Sequence, residues 1–398
     1  MKHALPEPEQ LNSLVQQLLN SGSACSLPEH GTSHMASLHA LCEPLLQEAA
    51  LHQQPEWAAH MTPTLAPYSL LGQQIAALHS GNLLSAELYP ALKQAEQSLL
   101  QWLCQHFGQP HAHFTHGGSY ANLEALWRAR DLSAHSSNLV YGSRATHYSV
   151  LKACQLLGLA FKPIDTDEQD RLLPEALQHA CLDRPPVAIV LNAGTSAAGV
   201  IDPLEPCMAI GQSYQSWIHI DAAWGGATMM LPENRQRYQL LQKADSISFD
   251  PHKALSQPKP SSVLLSRHGG QSLAAQVDYL SSSPDNRLPG SYGGELFLPL
   301  WLNLQMLGED WFYQQIRQRL AQSRQFALHL AELTDWPVSV SETGIVCFEP
   351  KQPDLLAILP DQGIFSRASI NGRPVYRAVF ASANTQAASL IKVLHPYL

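Results

Sequence analysis

The chain has 398 residues, of which 45% are hydrophobic and only 14% charged, with a formal net charge of −9. A chain of that length buries a sizeable core and predicts two packed units behind an N-terminal extension rather than one small domain. The acidic balance, with no Lys/Arg-rich run and no apolar run near the ~20 residues of a membrane span, excludes nucleic acid and membranes as expected partners.

Residues 1–60 predict short helices joined by Pro- and Gly-bearing loops, an arm rather than a domain. The first residues, "MKHALPEPEQLNSL", show no secretory h-region. The seven cysteines are scattered, odd in number and lack a CxxC pair, which fits reduced thiols and a cytoplasmic location. The 19 histidines are dispersed, with no HExxH and no paired Cys/His spacing, so no metal site is expected. Two helical patterns run from Ser69 to about Phe107, the second ("ELYPALKQAEQSLLQWLCQHF") long and amphipathic.

The rhythm then changes to alternation. "HAHFTH", "NLVYG", "AFKPID", "VAIVLNAG" and "WIHIDAA" predict strands, and the segments between them predict helices; "SISFD" and "SSVLLS" close the series. Alternation of this kind predicts an α/β fold with a mostly parallel sheet between helices. The continuous apolar run "VAIVL" fits a strand covered on both faces. From Leu296 the pattern is helical again, and the last 60 or so residues predict a small α+β unit with Asn371-Gly372 as a hairpin turn. The expected division is an arm (1–60), a large cofactor-binding domain (61–305) and a small C-terminal domain (306–398).

Four segments fall at strand ends, where ligands of such sheets bind. "FTHGGSYANLEAL" places Gly117 and Gly118 before a helix, and Ser119 at its N-terminus, where free N–H groups suit a phosphate; an ordinary strand–helix turn would look the same. "WIHIDAAWGG" ends a strand in Asp221, either a cap or a carboxylate that pairs with a cationic ring nitrogen. "SISFDPHKAL" carries Lys253, a surface lysine or, if uncharged in a partly buried site, a nucleophile towards carbonyls. "SRATHYSVLKAC" puts His147 at a helix start, as a cap or as a flat ring able to stack on a planar cofactor. Taken jointly and in this order, they supply what pyridoxal 5′-phosphate needs: a phosphate cradle, a partner for its ring nitrogen and a tether for its aldehyde.

The stretches "GGSYANLEAL", "SRATHYSVLKACQLLG", "NAGTSAAGVIDPLE", "HIDAAWGG" and "ADSISFDPHKAL" resemble the group II pyridoxal-phosphate-dependent amino acid decarboxylases (glutamate/aspartate/aromatic type), a fold-type-I family. The resemblance implies a homodimer with the active site at the subunit interface and N-terminal helices packed on the partner. It implies Lys253 as the Schiff-base lysine, Asp221 as the ring-nitrogen partner and His147 on the ring face. Gly118, Ser119 and Tyr120 fall at the phosphate-loop positions, with Tyr120 joining through its backbone N–H. Ser196, Ala223 and His252 complete the cofactor set. Arg377 in "VYRAVF" falls where a strand arginine holds a substrate carboxylate. The family's mobile loop corresponds to residues 279–295, with Tyr292, and after it Tyr279, as the donor of the Cα proton. Lys259, Pro260, Ser261 and Ser262 depart from the family's pattern, and the lid lacks an expected arginine, with Glu295 nearby.

The implied activity is decarboxylation of a small-molecule L-amino acid, acidic (aspartate or glutamate) or aromatic (tyrosine), to its amine and CO2. Another fold-type-I activity (aldehyde lyase or aminotransferase) and a catalytically silent cofactor-binding protein stay open.

Overall fold

A computed structural model describes residues 35–133, 137–270, 287–351 and 363–398. After α1 (Met35–Leu51), α2 (Ser69–His79) and α3 (Pro90–Phe107), the alternating region forms as expected: β1 (His111–Thr115), α4 (Gly118–Leu132), β2 (Leu139–Ser143), α5 (Tyr148–Leu157), β3 (Ala160–Ile164), α6 (Pro174–Asp183), β4 (Ala188–Asn192), α7 (Leu204–Ser213), β5 (Trp217–Asp221), β6 (Ser246–Phe249) and β7 (Ser262–Ser266). The strands pair in the order β1-β7-β6-β5-β4-β2-β3. Only β7 runs against the rest; β6, β5, β4, β2 and β3 pair in parallel. Every residue of β4 and β5 is buried, as strands covered on both faces require.

Register positions the site. Asn192 lies beside Asp221, and Asp221 beside Ser248, so the carboxyl ends of β4, β5 and β6 finish level with one another. Parallel pairing therefore gathers their terminal side chains, far apart in sequence, along one rim of the sheet.

The second unit holds β8 (Val338–Val340), β9 (Ile345–Phe348), β10 (Ser366–Ile370) and β11 (Arg373–Val379) in the antiparallel order β10-β11-β9-β8. The β10–β11 turn uses Asn371 and Gly372, both at positive φ (49° and 78°), which suits the right-handed twist of a two-residue hairpin. Between the two sheets run α8 (Leu298–Leu307) and α9 (Glu309–Leu333), and the described chain ends on α10 (Ala387–Leu394) and one 3₁₀ turn. The first half of α9 gives Phe312, Ile316 and Leu320 to the large core; its second half gives Phe326 and Leu330 to an aromatic core with Phe348, Phe365 and Phe380. Burying each such side chain contributes about 1.5–3 kcal/mol.

The end of the expected arm is stitched to the small sheet. Val379 N donates to Ala58 O (2.7 Å), and Ala58 N donates to Ile364 O (3.0 Å). The helices α1 and α2, by contrast, leave Leu45, Leu46, Leu70, Leu71, Ile75 and Leu78 exposed. Among the described residues no helix is long and apolar enough to cross a membrane.

Candidate active site

Beyond the level ends of β4, β5 and β6 opens a cleft of about 400 Å³. Gly118, Ser119, Tyr120, His147, Ser196, Asp221, Ala223, His252 and Lys253 all line it. Residues read from motifs 135 positions apart, from 118 to 253, thus meet at one place.

The wall formed by α4 suits an anion. Its N-cap, Gly117, has φ +130° and makes no side-chain cap, so the helix start is left to whatever enters the cleft. The N–H groups of Gly118 and Ser119 have no partner within the helix. Tyr120 is a correction: its N–H already donates to Gly117 O (2.9 Å), because the helix has closed its first turn there. Tyr120 meets the cleft through its half-exposed side chain instead. Gly118 must be glycine for a steric reason, since a Cβ there would sit 2.9 Å from Asp250 Oδ2.

Asp221 forms the floor at 8% exposure. Its Oδ2 accepts from Asn122 Nδ2 (2.9 Å), and its Oδ1 accepts from Ala223 N (3.2 Å) and Ser248 Oγ (3.3 Å). Three donors thus converge on this one carboxylate. Ala223 therefore serves the site through its backbone, as the turn residue that ties down Asp221.

Lys253 sits on the helical turn Pro251–Ala254 that follows β6. Its Nζ lies 2.9 Å from Asp250 Oδ2, and Asp250 is almost fully buried. Burial alone would lower the lysine's pKa, but the carboxylates of Asp250 and then Asp221 outweigh it and hold the pKa above the usual value. Lys253 is thus paired with a buried carboxylate. The missed residue is Asp250; its signal was the i,i+3 spacing within "DPHK", which places both groups on one turn. Burial raises the Asp250 carboxyl, yet Lys253, His252 and a hydrogen bond from Ser262 Oγ (2.5 Å) bring it below the ordinary carboxylate value.

His147 is both a cap and a wall of the cleft. It precedes α5, its Nδ1 accepts from Ser149 N (3.3 Å), and the same atom lies 2.7 Å from Ser149 Oγ. Burial lowers its pKa, and Lys253 and Lys152 add to this against the opposing pull of Asp221 and Asp250. His252 is likewise held low by burial, and its Nδ1 lies 2.5 Å from Ser261 O. Arg319 of α9 is buried and donates to Ala254 O (2.6 Å) and Ala381 O (2.8 Å). It ties the lysine turn to the small unit.

The mouth of the cleft follows the sequence less closely. Arg377 is not itself a lining residue; its guanidinium donates to the Ser196 carbonyl and, through Nε, to Ser366 Oγ (2.6 Å). Lys259, which the sequence marked only as a departure, does line the cleft. Burial, then Arg377, then Lys259 lower the pKa of nearby His60. Tyr292 stands away from the cleft. It packs against the large core, and burial together with Glu96 raises its hydroxyl pKa. Its backbone carbonyl accepts from Leu83 N (2.8 Å). Within this chain the segment around Tyr292 is anchored to the turn before α3. Tyr279 lies outside the described residues.

The residues fit pyridoxal 5′-phosphate on grounds of this structure alone: an uncapped helix start, an ionised carboxylate on the floor, an amine opposite and room for a flat ring. Comparison with known proteins agrees. The family described as "Pyridoxal-dependent decarboxylase conserved domain" matches residues 23–351. Over 378 residues the chain is 27% identical to an aromatic-L-amino-acid decarboxylase of Bacillus atrophaeus, covering 87% of this chain and 78% of that one. It is 32% identical over 271 residues to an L-2,4-diaminobutyrate decarboxylase of Rhizobium meliloti, covering 64% of this chain and 54% of that one. The fold matches a crystal structure of Oryza sativa TDC with PLP and tryptamine at a TM-score of 0.84, with 20% identity, 98% of this chain and 94% of that chain covered. A crystal structure of mouse CSAD matches at 0.82, with 22% identity, 98% of this chain and 92% of that chain covered. The chain belongs to the pyridoxal-dependent decarboxylases, the carboxy-lyases that work with pyridoxal 5′-phosphate.

Proposed function

We propose that the protein decarboxylates an L-amino acid to its amine and CO2, and that its substrate carries a second, acidic carboxylate (aspartate or glutamate) rather than an aromatic side chain. The observation that carries the reaction is the convergence of Lys253, Asp221 and His147 on one cleft at the start of α4.

When bound, pyridoxal 5′-phosphate supplies a sink for the electrons released at Cα. The protein's share is binding, orientation and proton handling. Gly118 and Ser119 hold the phosphate through backbone N–H groups, supported by the helix dipole. Asp221, oriented by its three donors, accepts the ring N–H and stabilises positive charge there. His147 holds the ring's face, and His252 and Ser196 border it. Lys253 would tether the aldehyde; when not bonded to it, its ammonium, paired with the Asp250 carboxylate, is the acid the cleft offers to Cα.

Two cationic side chains favour the acidic substrate. Lys259 lines the cleft, and Arg377 spends its described hydrogen bonds on neutral oxygens. One cation answers the cofactor's phosphate, and the other is free to meet a substrate carboxylate. The B. atrophaeus and R. meliloti relatives are named for aromatic and diaminobutyrate substrates, and GADL1 of Xenopus tropicalis, 24% identical, is named an acidic amino acid decarboxylase.

The working unit is a homodimer of chains divided into arm (1–60), large domain (61–305) and small domain (306–398). The exposed leucines of α1 and α2 support it, since a second copy would cover them. A cytoplasmic setting agrees with the free thiols of Cys42, Cys104, Cys154, Cys181, Cys207 and Cys347. The test is an amine-product screen of the holoprotein against the proteinogenic amino acids, diaminobutyrate and cysteine sulfinate. Amine with matching CO2 from aspartate or glutamate supports the assignment. Amine from tyrosine alone overturns the substrate, and product only when a keto acid is added overturns the reaction.

A further inference from the structure

Asn122 lies in α4, one turn inside the helix whose start faces the phosphate, and is 1% exposed. Its Nδ2 donates to Asp221 Oδ2 (2.9 Å) and to Ser149 Oγ (3.0 Å). Its Oδ1 lies 2.9 Å from His219 Nε2. His219 Nδ1 lies 2.8 Å from Ser246 Oγ, which accepts from Trp217 Nε1 (2.8 Å).

The directions of these bonds follow from one another. An ionised carboxylate accepts only, so the amide must present its NH2 to Asp221 and its oxygen to His219. His219 then carries its hydrogen on Nε2, and Ser246 must donate to Nδ1 while receiving the indole N–H. Each donor from Trp217 to Asn122 therefore points towards Asp221. The second amide hydrogen occupies a lone pair of Ser149, which turns that hydroxyl's hydrogen to His147 Nδ1, 2.7 Å away. Full burial holds His219 neutral, with its pKa down at about 4, so the relay does not reverse near neutral pH.

We propose that Asn122 is a positioning residue that fixes Asp221 as an ionised acceptor and His147 in one tautomer at the same time. The proposal rests on the roles given above to Asp221 and His147. Asn122 reaches the wall of the cleft, but the role assigned to it is exerted through Asp221 and His147. The ionisable groups gathered around this network are Asp221 and His219 from β5, His147 before α5, Lys152 on α5, and Lys253 and Asp250 after β6.

The test uses holoprotein and two variants. The readouts are the pH titration of the visible band of Lys253-bound cofactor, the cofactor's Kd, and kcat/KM. Asn122→Ala is expected to displace the titration midpoint from the wild-type value, to weaken cofactor binding and to lower kcat/KM by about 10–100-fold, as loss of an outer-shell partner does. Asn122→Asp keeps the shape. Protonated, it still donates to Asp221; ionised, it repels Asp221. Its rate is expected to approach wild type at the acid end of the profile and to fall towards Asn122→Ala as pH rises. Asn303→Ala removes another fully buried asparagine, bonded to Ser69 Oγ and Pro299 O, and is expected to leave the band's titration in place. Asn122→Ala with wild-type titration and Kd, or Asn122→Asp with a profile parallel to wild type, overturns the proposal. If Asn122→Ala fails to fold, Asn122→Asp decides. A wild-type protein with no Lys253-dependent band would instead overturn the functional assignment beneath it.

Discussion

The floor of the cleft and its mouth are built by different means. The floor is made by strand ends in register: Asn192, Asp221 and Ser248 are neighbours because β4, β5 and β6 pair in parallel. Asp221 is held there by buried hydrogen bonds from Ser248 Oγ (3.3 Å) and, from α4, Asn122 Nδ2 (2.9 Å). The mouth is assembled from distant pieces: Lys259 from the loop before β7, Tyr120 from the helix start, and Ser196, which Arg377 of the small sheet holds from behind. It is held by fewer bonds, such as the contact of Arg377 with the Ser196 carbonyl. A rigid floor and a loosely assembled mouth separate two tasks. Cofactor chemistry is fixed by the floor, and substrate choice is left to side chains that can change independently.

The sharpest way to break this comparison is at the floor. Asp221→Ala is expected to keep binding cofactor but to lose about 10²–10³-fold in kcat, the size of losing one preorganised electrostatic group. An unimpaired rate in steady-state kinetics would remove Asp221 from the mechanism. At the mouth the effect is expected to divide by substrate. Arg377→Ala removes charged hydrogen bonds of about 1.5–3 kcal/mol. It should therefore lower kcat/KM for the acidic substrate by roughly 10–150-fold while leaving the bound-cofactor spectrum alone. A spectral change equal to that of Asp221→Ala would mean that floor and mouth are one unit.

Asp250→Ala probes stability where the two regions meet. It removes the partner of a largely buried ammonium and is expected to cost about 3 kcal/mol in the unfolding free energy of the apoprotein, read by urea titration. It should also lower the pKa of Lys253, since burial then acts without Asp250 opposing it. Acid should act on the floor before the mouth. His219 titrates at about 4 when folded and near 6.5 when unfolded, so the unfolded chain binds the extra proton between these values. The stabilising effect of its neutral form is complete above pH 6.5 and is lost as pH falls towards 4. His219→Gln should flatten that slope in urea midpoints measured across the window; an unchanged slope would exclude His219 as its source. The smallest effect is expected from Tyr292→Phe, less than about threefold in kcat, because the hydroxyl is packed near Glu96 and away from the cleft.

The same division explains what the sequence disclosed. Strand ends were readable because the apolar runs "VAIVL" and "WIHI" each stop at a polar residue, and parallel pairing leaves little freedom in where those residues meet. Lys253, Asp221 and His147 were legible for that reason. Asp250 was not, because a carboxylate in a "DP" step reads as a cap, and its ion pair with Lys253 appears only once the turn is formed. Asn122 was hidden for a similar reason: its three partners come from β5 and α5, 27 or more residues away. The resting place of Tyr292 was not legible, because a Gly/Ser-rich loop shows that a segment can move but not where its aromatic side chain packs. The backbone bond from Leu83 and packing against the large core decide that instead.

The claim on which all of this depends is that one amine on the turn after β6 bonds to the cofactor. The direct measurement is borohydride reduction of the holoprotein followed by peptide mass mapping. The expected result is one phosphopyridoxyl group, on Lys253, lost in Lys253→Ala together with the visible band. A label on Lys259 or another lysine, or a Lys253→Ala protein that keeps its band and its rate, would contradict the account.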